Sequence, residues 1–237
     1  MYNTDLNTKE VYTVSNNNIK EGAFRQTAPF GTITLTEGYY HNNLKDSVWK
    51  YYYQQALVAE GHYSADKKAG VWIGYTRGFE RLRYNFTTHE LTQYVPSKID
   101  SVQTVSVINS TDNKSPDRKP IYINGMQTFA HSLITGIFYP AFARENRKEG
   151  EVVISFDIDE DGNAGNYMSR TTLGYGLEDV ALRMIKRYNT GAWVPAISDG
   201  KRVAVRFEIP VLFELDKPMD TPHKPNQIVI RANGVSR

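Results

Sequence analysis

The clearest chemical spacing in the chain is "FDIDEDGNAGNYM" (156–168), with Asp157, Asp159, Asp161 and Gly162 in the order D-x-D-x-D-G. Carboxylates at alternate positions and a glycine at the sixth open an EF-hand calcium loop. Position 12 of that loop requires a bidentate glutamate, and here it is Met168. An EF-hand loop also joins two helices, whereas the residues on either side alternate like strands. The stretch therefore reads as a hairpin turn over Asp159 to Asn163, with Gly162 at positive φ. Other chemistry is thin. His41, His62, His89, His131 and His223 share no ligand spacing and no H-E-x-x-H. The absence of cysteine removes disulfides, thiolate nucleophiles and cysteine-based zinc sites. No G-x-S-x-G occurs, and no Ser, His and Asp stand out together. Gly174-Tyr175-Gly176 lacks a third glycine and a following lysine, so it reads as a helix-start turn rather than a phosphate loop. Glu178 and Asp179 then suit the helix dipole. No catalytic residue, metal ligand or cofactor is expected. The expected class is a binding or structural protein, not an enzyme.

Composition narrows the partners. The chain has 237 residues, enough for two domains of about 100 residues. Its 28 basic and 26 acidic residues leave a net charge of +2, so nucleic acid is not an expected partner. No apolar run approaches the ~20 residues of a membrane span. The start, "MYNTDLNTKEVYTVSNNN", has no signal-peptide core, so neither signal nor anchor is expected within this chain.

The first half repeats. "EGYYHNNLKDSVWKYY" from Glu37 and "EGHYSADKKAGVWIGY" from Glu60 match at an offset of 23: Gly38 and Gly61, Tyr40 and Tyr63, Trp49 and Trp72, Tyr52 and Tyr75. A degenerate copy precedes them at Glu21–Phe24, and "RLRYNF" (81–86) closes the array. Each unit reads as a β-hairpin. Glycine is expected to supply positive φ in the turns. The aromatics are expected to bury one hairpin against the next, since a lone hairpin is marginal. Residues 20 to 87 resemble the MORN-repeat family, in the variant whose turn reads K-x-G-x-W (Lys68, Gly70, Trp72). That resemblance implies an elongated antiparallel sheet used as a spacer or docking surface.

The second half changes period. Residues 108–120, "INSTDNKSPDRKP", are polar and rich in turn formers, although "SVQTVSVI" before them alternates like a strand. Met126, Phe129, Ala130, Leu133, Ile134 and Ile137 mark one amphipathic helix; Leu177, Val180, Ala181, Met184, Ile185 and Tyr188 mark another. Val152 to Ile158 and "AGNYMSRTT" give a hairpin, Trp193 and Pro195 fall in a loop, and Val203 to Leu215 give a long strand. Helix, hairpin, helix, strand fits two helices on a three-stranded antiparallel sheet. The expected class is α+β, with a repeat region at 1–95, a linker at 96–118, a compact domain at 119–216 and an extended tail at 217–237. Ile228 to Ile230 in the tail is a candidate strand that would pair with a sheet edge and cover it.

Residues 119 to 216 resemble the TonB C-terminal domain. The likeness rests on Tyr139-Pro140, Ala143, Gly150 through Phe156, the D-x-D-G-type turn, Trp193-x-Pro195, Gly200 and Pro210-x-x-Phe213. The resemblance implies a protein-interaction module of the Gram-negative cell envelope, periplasmic or associated with the outer membrane. Its expected partner is an outer-membrane TonB-dependent transporter or another envelope protein. The partner would offer an extended peptide as a strand beside the final strand, at Arg202, Val203, Ala204, Val205, Arg206, Phe207 and Glu208. Tyr139 and Pro140 would lie near it, Pro210 would limit pairing farther along, and exposed edges would allow a homodimer. The chain lacks the membrane helix and long Pro-rich spacer of an energy transducer, and the hairpin array stands in that place. The alternative reading is a scaffold that binds an envelope protein or glycan through the tyrosine-rich repeat face.

Overall fold

The computed structural model describes residues 2–3, 8–15, 17–28, 31–110 and 114–233. Parts of the expected linker (111–113) and tail (234–237) lie outside the described residues. The chain forms two compact units: Met1–Pro96 with Ile123–Gly125, and Ser97–Tyr122 with Met126–Arg237.

The first unit is a nine-stranded antiparallel meander in strict chain order. Its strands are β1 (Tyr2–Asn3), β2 (Thr8–Val14), β3 (Lys20–Thr27), β4 (Thr34–His41), β5 (Leu44–Tyr53), β6 (Ala56–Ser64), β7 (Lys67–Thr76), β8 (Phe79–Asn85) and β9 (Glu90–Tyr94). Two-residue turns at Asn42–Asn43, Gln54–Gln55 and Ala65–Asp66 have positive φ at both residues, the primed geometry that matches strand twist.

The offset of 23 recurs in the contacts. Trp49 Nε1 donates to Tyr39 O and Trp72 Nε1 to His62 O, both at 3.1 Å. Tyr40 meets Trp49 edge-on at 5.3 Å, and Tyr63 meets Trp72 at 5.2 Å. The repeated glycines do something other than turn. Gly38 and Gly61 sit inside strands without positive φ, and each indole lies flat on one of them. A Cβ on Gly38 would stand 2.3 Å from Trp49, and one on Gly61 would stand 1.9 Å from Trp72. Glycine is there for close approach, and the positive-φ turn residues are mostly Asn, Gln, Ala and Asp. The opposite face carries a charge ladder: Arg25, Glu37, Lys50 and Glu60 follow one another across β3 to β6, so signs alternate between direct neighbours.

In chain order the second unit contains α1 (Lys98–Ser101), β10 (Thr104–Val107), β11 (Ile121–Tyr122), α2 (Met126–Gly136), α3 (Ala141–Glu145), β12 (Gly150–Ile158), β13 (Ala164–Ser169), α4 (Leu177–Tyr188), β14 (Trp193–Val194), β15 (Ala196–Ser198), β16 (Lys201–Val203), β17 (Val205–Leu215) and β18 (Ile228–Ala232). The main sheet runs β10-β17-β12-β13, and β18 also pairs with β17. Val152, Ile154, Phe156, Ile158, Val205, Phe207, Val211 and Phe213 form one buried face, packed in a common core with Phe129 and Leu133 of α2 and Leu177 and Ile185 of α4.

The sheet has five strands where three were expected. Both additions come from segments expected to be linker and tail. Residues 96–118 include a helix and a strand because Val105 is buried in the core and its alternation suits an edge. The 217–237 segment returns as β18 because Ile228 and Ile230 are buried on the same face. Trp193 likewise is not in a loop: Trp193–Val194 pairs with Ile121–Tyr122.

Candidate peptide-binding edge

The residues expected to pair with a peptide divide between two strands. Arg202 and Val203 belong to β16, which forms a small hairpin with β15. Arg202 Nη1 donates to Glu160 O and to Asp161 Oδ1, both at 3.0 Å, so its role is to hold the β12–β13 turn. In that turn Asp159 Oδ1 accepts from the N–H groups of Asp161 and Asn163 at 3.0 and 2.7 Å, and Gly162 has φ 74°. The carboxylates of the D-x-D-G stretch are spent on the hairpin.

Val205, Arg206, Phe207 and Glu208 open β17. Val205 and Phe207 face the helices and are buried. Arg206 and Glu208 face the other way, and Arg206 makes a two-pronged contact with Asp157 at 2.8 and 3.0 Å. Those hydrogen bonds raise the Arg206 guanidinium pKa above its ordinary value.

The expected open edge is closed. β12 covers one side of β17 from Val205 to Phe213. On the other side β10 runs antiparallel, with Thr104, Val105, Ser106 and Val107 opposite Glu208, Phe207, Arg206 and Val205. Beyond it β18 runs parallel, from Ile228 beside Val211 to Ala232 beside Leu215. The tail therefore pairs in cis, but past the expected peptide segment rather than over it. The cover over Val205–Glu208 comes from upstream.

Pro210 lies between the two covering strands. Arg170 N donates to Val153 O at 2.8 Å, and Val153 N donates to Thr171 Oγ1 at 3.1 Å. The backbone of Val153 thus points away from β17. Its partner Pro210 must also turn its backbone away from β12, toward the side of β10 and β18. The same parity aims Ala204, Arg206 and Glu208 at β10, and Ile108 N donates to Ala204 O at 3.0 Å.

Tyr139 and Pro140 are not at this edge. Tyr139 is buried, donates to Lys148 O and meets Phe213 edge-on at 5.3 Å. Its phenol is pushed up to about 12, by burial first and by Glu149 second. Phe213 follows Glu208 by five residues, or roughly 17 Å of strand. The two parts of the expected site stand at opposite ends of β17. Beside Tyr139, Phe138 and Phe142 are 80% and 61% exposed, and Phe142 stacks on Tyr175 at 5.2 Å.

Sequence reasoning missed a carboxylate clasp on the tail. Glu214 accepts from Arg231 Nε at 3.2 Å and lies 3.0 Å from His223 Nε2; Glu151 meets Lys224 Nζ at 3.3 Å and also bonds Gln227. Burial alone would raise the Glu214 pKa, but the bonds to His223 and Arg231 outweigh it and hold the carboxyl below its ordinary value. In sequence, only the outward phase of Glu214 and Arg231 on alternating strands hints at the pair. The tyrosine-rich face of the first unit is also not free, since Tyr51, Tyr63 and Tyr84 are buried. Of its opposite face, Val11, Tyr39 and Val48 line an open groove of about 600 Å³ together with Lys9, Arg25 and Lys50.

Two helices on a sheet whose last long strand follows a D-x-D-G turn are the frame that the sequence likeness required. Residues 135–215 match the family of the Gram-negative bacterial TonB protein C-terminal. The match starts within α2 and ends with β17, so β10 and β18 both lie outside it. TonB-type C-terminal domains are non-enzymatic periplasmic modules of TonB-dependent transport, and they interact with outer-membrane transporters. No curated protein and no solved structure matched the chain. Among the described residues no helix is long and apolar enough to cross a membrane.

Proposed function

We propose that the TonB-type domain binds an extended peptide of an outer-membrane transporter or a related envelope partner, by strand addition along Val205–Glu208 in the periplasm. One observation carries this reading. That edge already accepts an antiparallel strand from outside the matched domain, because β10 precedes residue 135. Backbone groups supply the pairing, and side chains at alternate positions supply selectivity. Arg202 and Val203 fall outside the pairing strand, Tyr139 serves the core and Pro140 caps the start of α3, so the working segment is Val205, Arg206, Phe207 and Glu208.

The test is titration of isotope-labelled full chain, and of a Ser106→Pro chain that weakens β10, with transporter-derived peptides. Amide shifts centred on Val205–Glu208 are the expected result. No binding to either chain at millimolar peptide would overturn the reading.

A further inference from the structure

Two strands cover the same side of β17, and they are held very differently. β18 buries Ile228 and Ile230 and is clasped through Glu214 and Glu151. β10 buries only Val105. Its side-chain tie to β18's approach is one bond, from Asn226 Nδ2 to Thr104 Oγ1 at 3.2 Å. On its other flank, Lys119 Nζ donates to Ser101 O and Gln103 O at 2.9 and 2.6 Å. Four residues with one buried side chain make a strand that another extended segment can replace.

We propose that Thr104–Val107 is an internal surrogate for the partner strand. A partner peptide binds Val205–Glu208 only by displacing it. The inference rests on the peptide-binding reading above and names both its regulation and the chemistry of its ligand. Val105 faces the core and Val107 shares its phase, while Thr104 and Ser106 face outward. The edge is thus shaped for an antiparallel segment with β-branched apolar residues at alternate positions and small polar residues between them. No charged partner residue is called for at the inward positions, because Val205 and Phe207 there are buried and apolar. Displacement also sets the apparent affinity, which falls by the fraction of molecules whose edge is uncovered.

The probe is a synthetic peptide copying residues 103–108, Gln-Thr-Val-Ser-Val-Ile. The parity that aims Ile108 N–H at Ala204 O also aims Ser106 N–H at β17, so Ser106→Pro removes a ladder donor. Val105→Ala is the milder variant, which removes the one buried side chain and leaves the backbone intact. Both chains should bind the probe at least about tenfold more tightly than the parent, with hydrogen-exchange protection returning at Val205–Glu208. A third chain carries Ser106→Cys and Arg206→Cys, facing residues ~5.5 Å apart at Cα, within disulfide reach. Oxidised, it should bind neither probe nor transporter peptide, and reducing the same chain should restore binding of both, so the comparison is between its own two redox states. Equal probe affinity in the parent and both single variants would overturn the proposal. So would undiminished transporter-peptide binding by the oxidised chain. Probe binding without any transporter-peptide binding would leave the surrogate standing and sink the transporter reading instead.

Discussion

Gly61→Ala is the sharpest test of how the hairpin array is built. The added Cβ would lie 1.9, 2.2 and 2.3 Å from three ring atoms of Trp72. The indole cannot retreat easily: it is fully buried, donates to His62 O at 3.1 Å and meets Tyr63 and Phe86 edge-on at 5.2 and 5.7 Å. Spreading the strands to fit the methyl costs ~1–3 kcal/mol by analogy with overpacked cores. Expelling the ring forfeits a buried Trp, worth ~3–5 kcal/mol. The expected loss is about 3 kcal/mol, between those two routes. For a unit of this size that lowers its melting temperature by ~12–24 °C. Gly70→Ala is the control. It has φ 59° and nothing within 4 Å of its Cβ, so its cost is left-handed backbone strain alone. That strain is ~1–2 kcal/mol. Thermal unfolding followed by tryptophan fluorescence and far-ultraviolet dichroism gives both numbers. If Gly61→Ala costs no more than Gly70→Ala, the indole-on-glycine packing is not what fixes the repeat.

Tyr139→Phe should cost about 1 kcal/mol by losing the bond to Lys148 O, whereas Tyr139→Ala should cost ~3–5 kcal/mol by emptying a packed site. Neither should change peptide affinity at Val205–Glu208 by more than about twofold, and a large affinity loss in Tyr139→Phe by titration would restore this residue to the site. The tail clasp should be acid-sensitive. Because the Glu214 pKa is held below 4.5 in the fold, its contribution is complete above that value and is lost as pH falls through the lowered one. Protection factors at Ile228–Ala232, taken against the intrinsic exchange rate at each pH, should therefore fall on acidification below 4.5, and Glu214→Gln should show lower protection at neutral pH with less dependence on acid. Glu151 also holds the tail, through Lys224 and Gln227, so the difference between the parent and Glu214→Gln is the informative quantity.

Much of this fold was legible because the signals were periodic. The offset of 23 located every paired strand from β4 to β7, and period two located β12 and β17. What failed was local in chemistry and global in cause. Gly38 and Gly61 looked like turn glycines, but a glycine reserved for an indole eleven residues onward has the same letter. The role of β10 is set by a pairing partner about 100 residues away, and no local pattern reports a partner; for β18 the alternation of Ile228 and Ile230 marked a pairing strand but not its place along β17. "SVQTVSVI" showed the right alternation, yet its polar neighbours made the whole stretch read as linker. Tyr139-Pro140 was read from likeness as near the partner. Burial decides otherwise, because the ring is needed over Phe213 at the far end of β17.

Pro210 then explains why one strand edge carries two different covers. Its ring nitrogen faces the open side of β17 and offers no donor there, so a single covering strand would lose a ladder bond at its middle. Two shorter strands meeting at the proline lose nothing. Once the side is divided, each half can be held at its own strength. The half beyond Pro210 is sealed by Ile228, Ile230 and the Glu214 clasp, which protects the β17 terminus from adventitious pairing. The half before it is left to β10 and one buried valine. An exchangeable cover over Val205–Glu208 beside a sealed one over Val211–Leu215 confines strand exchange to the segment where a partner peptide is proposed to bind.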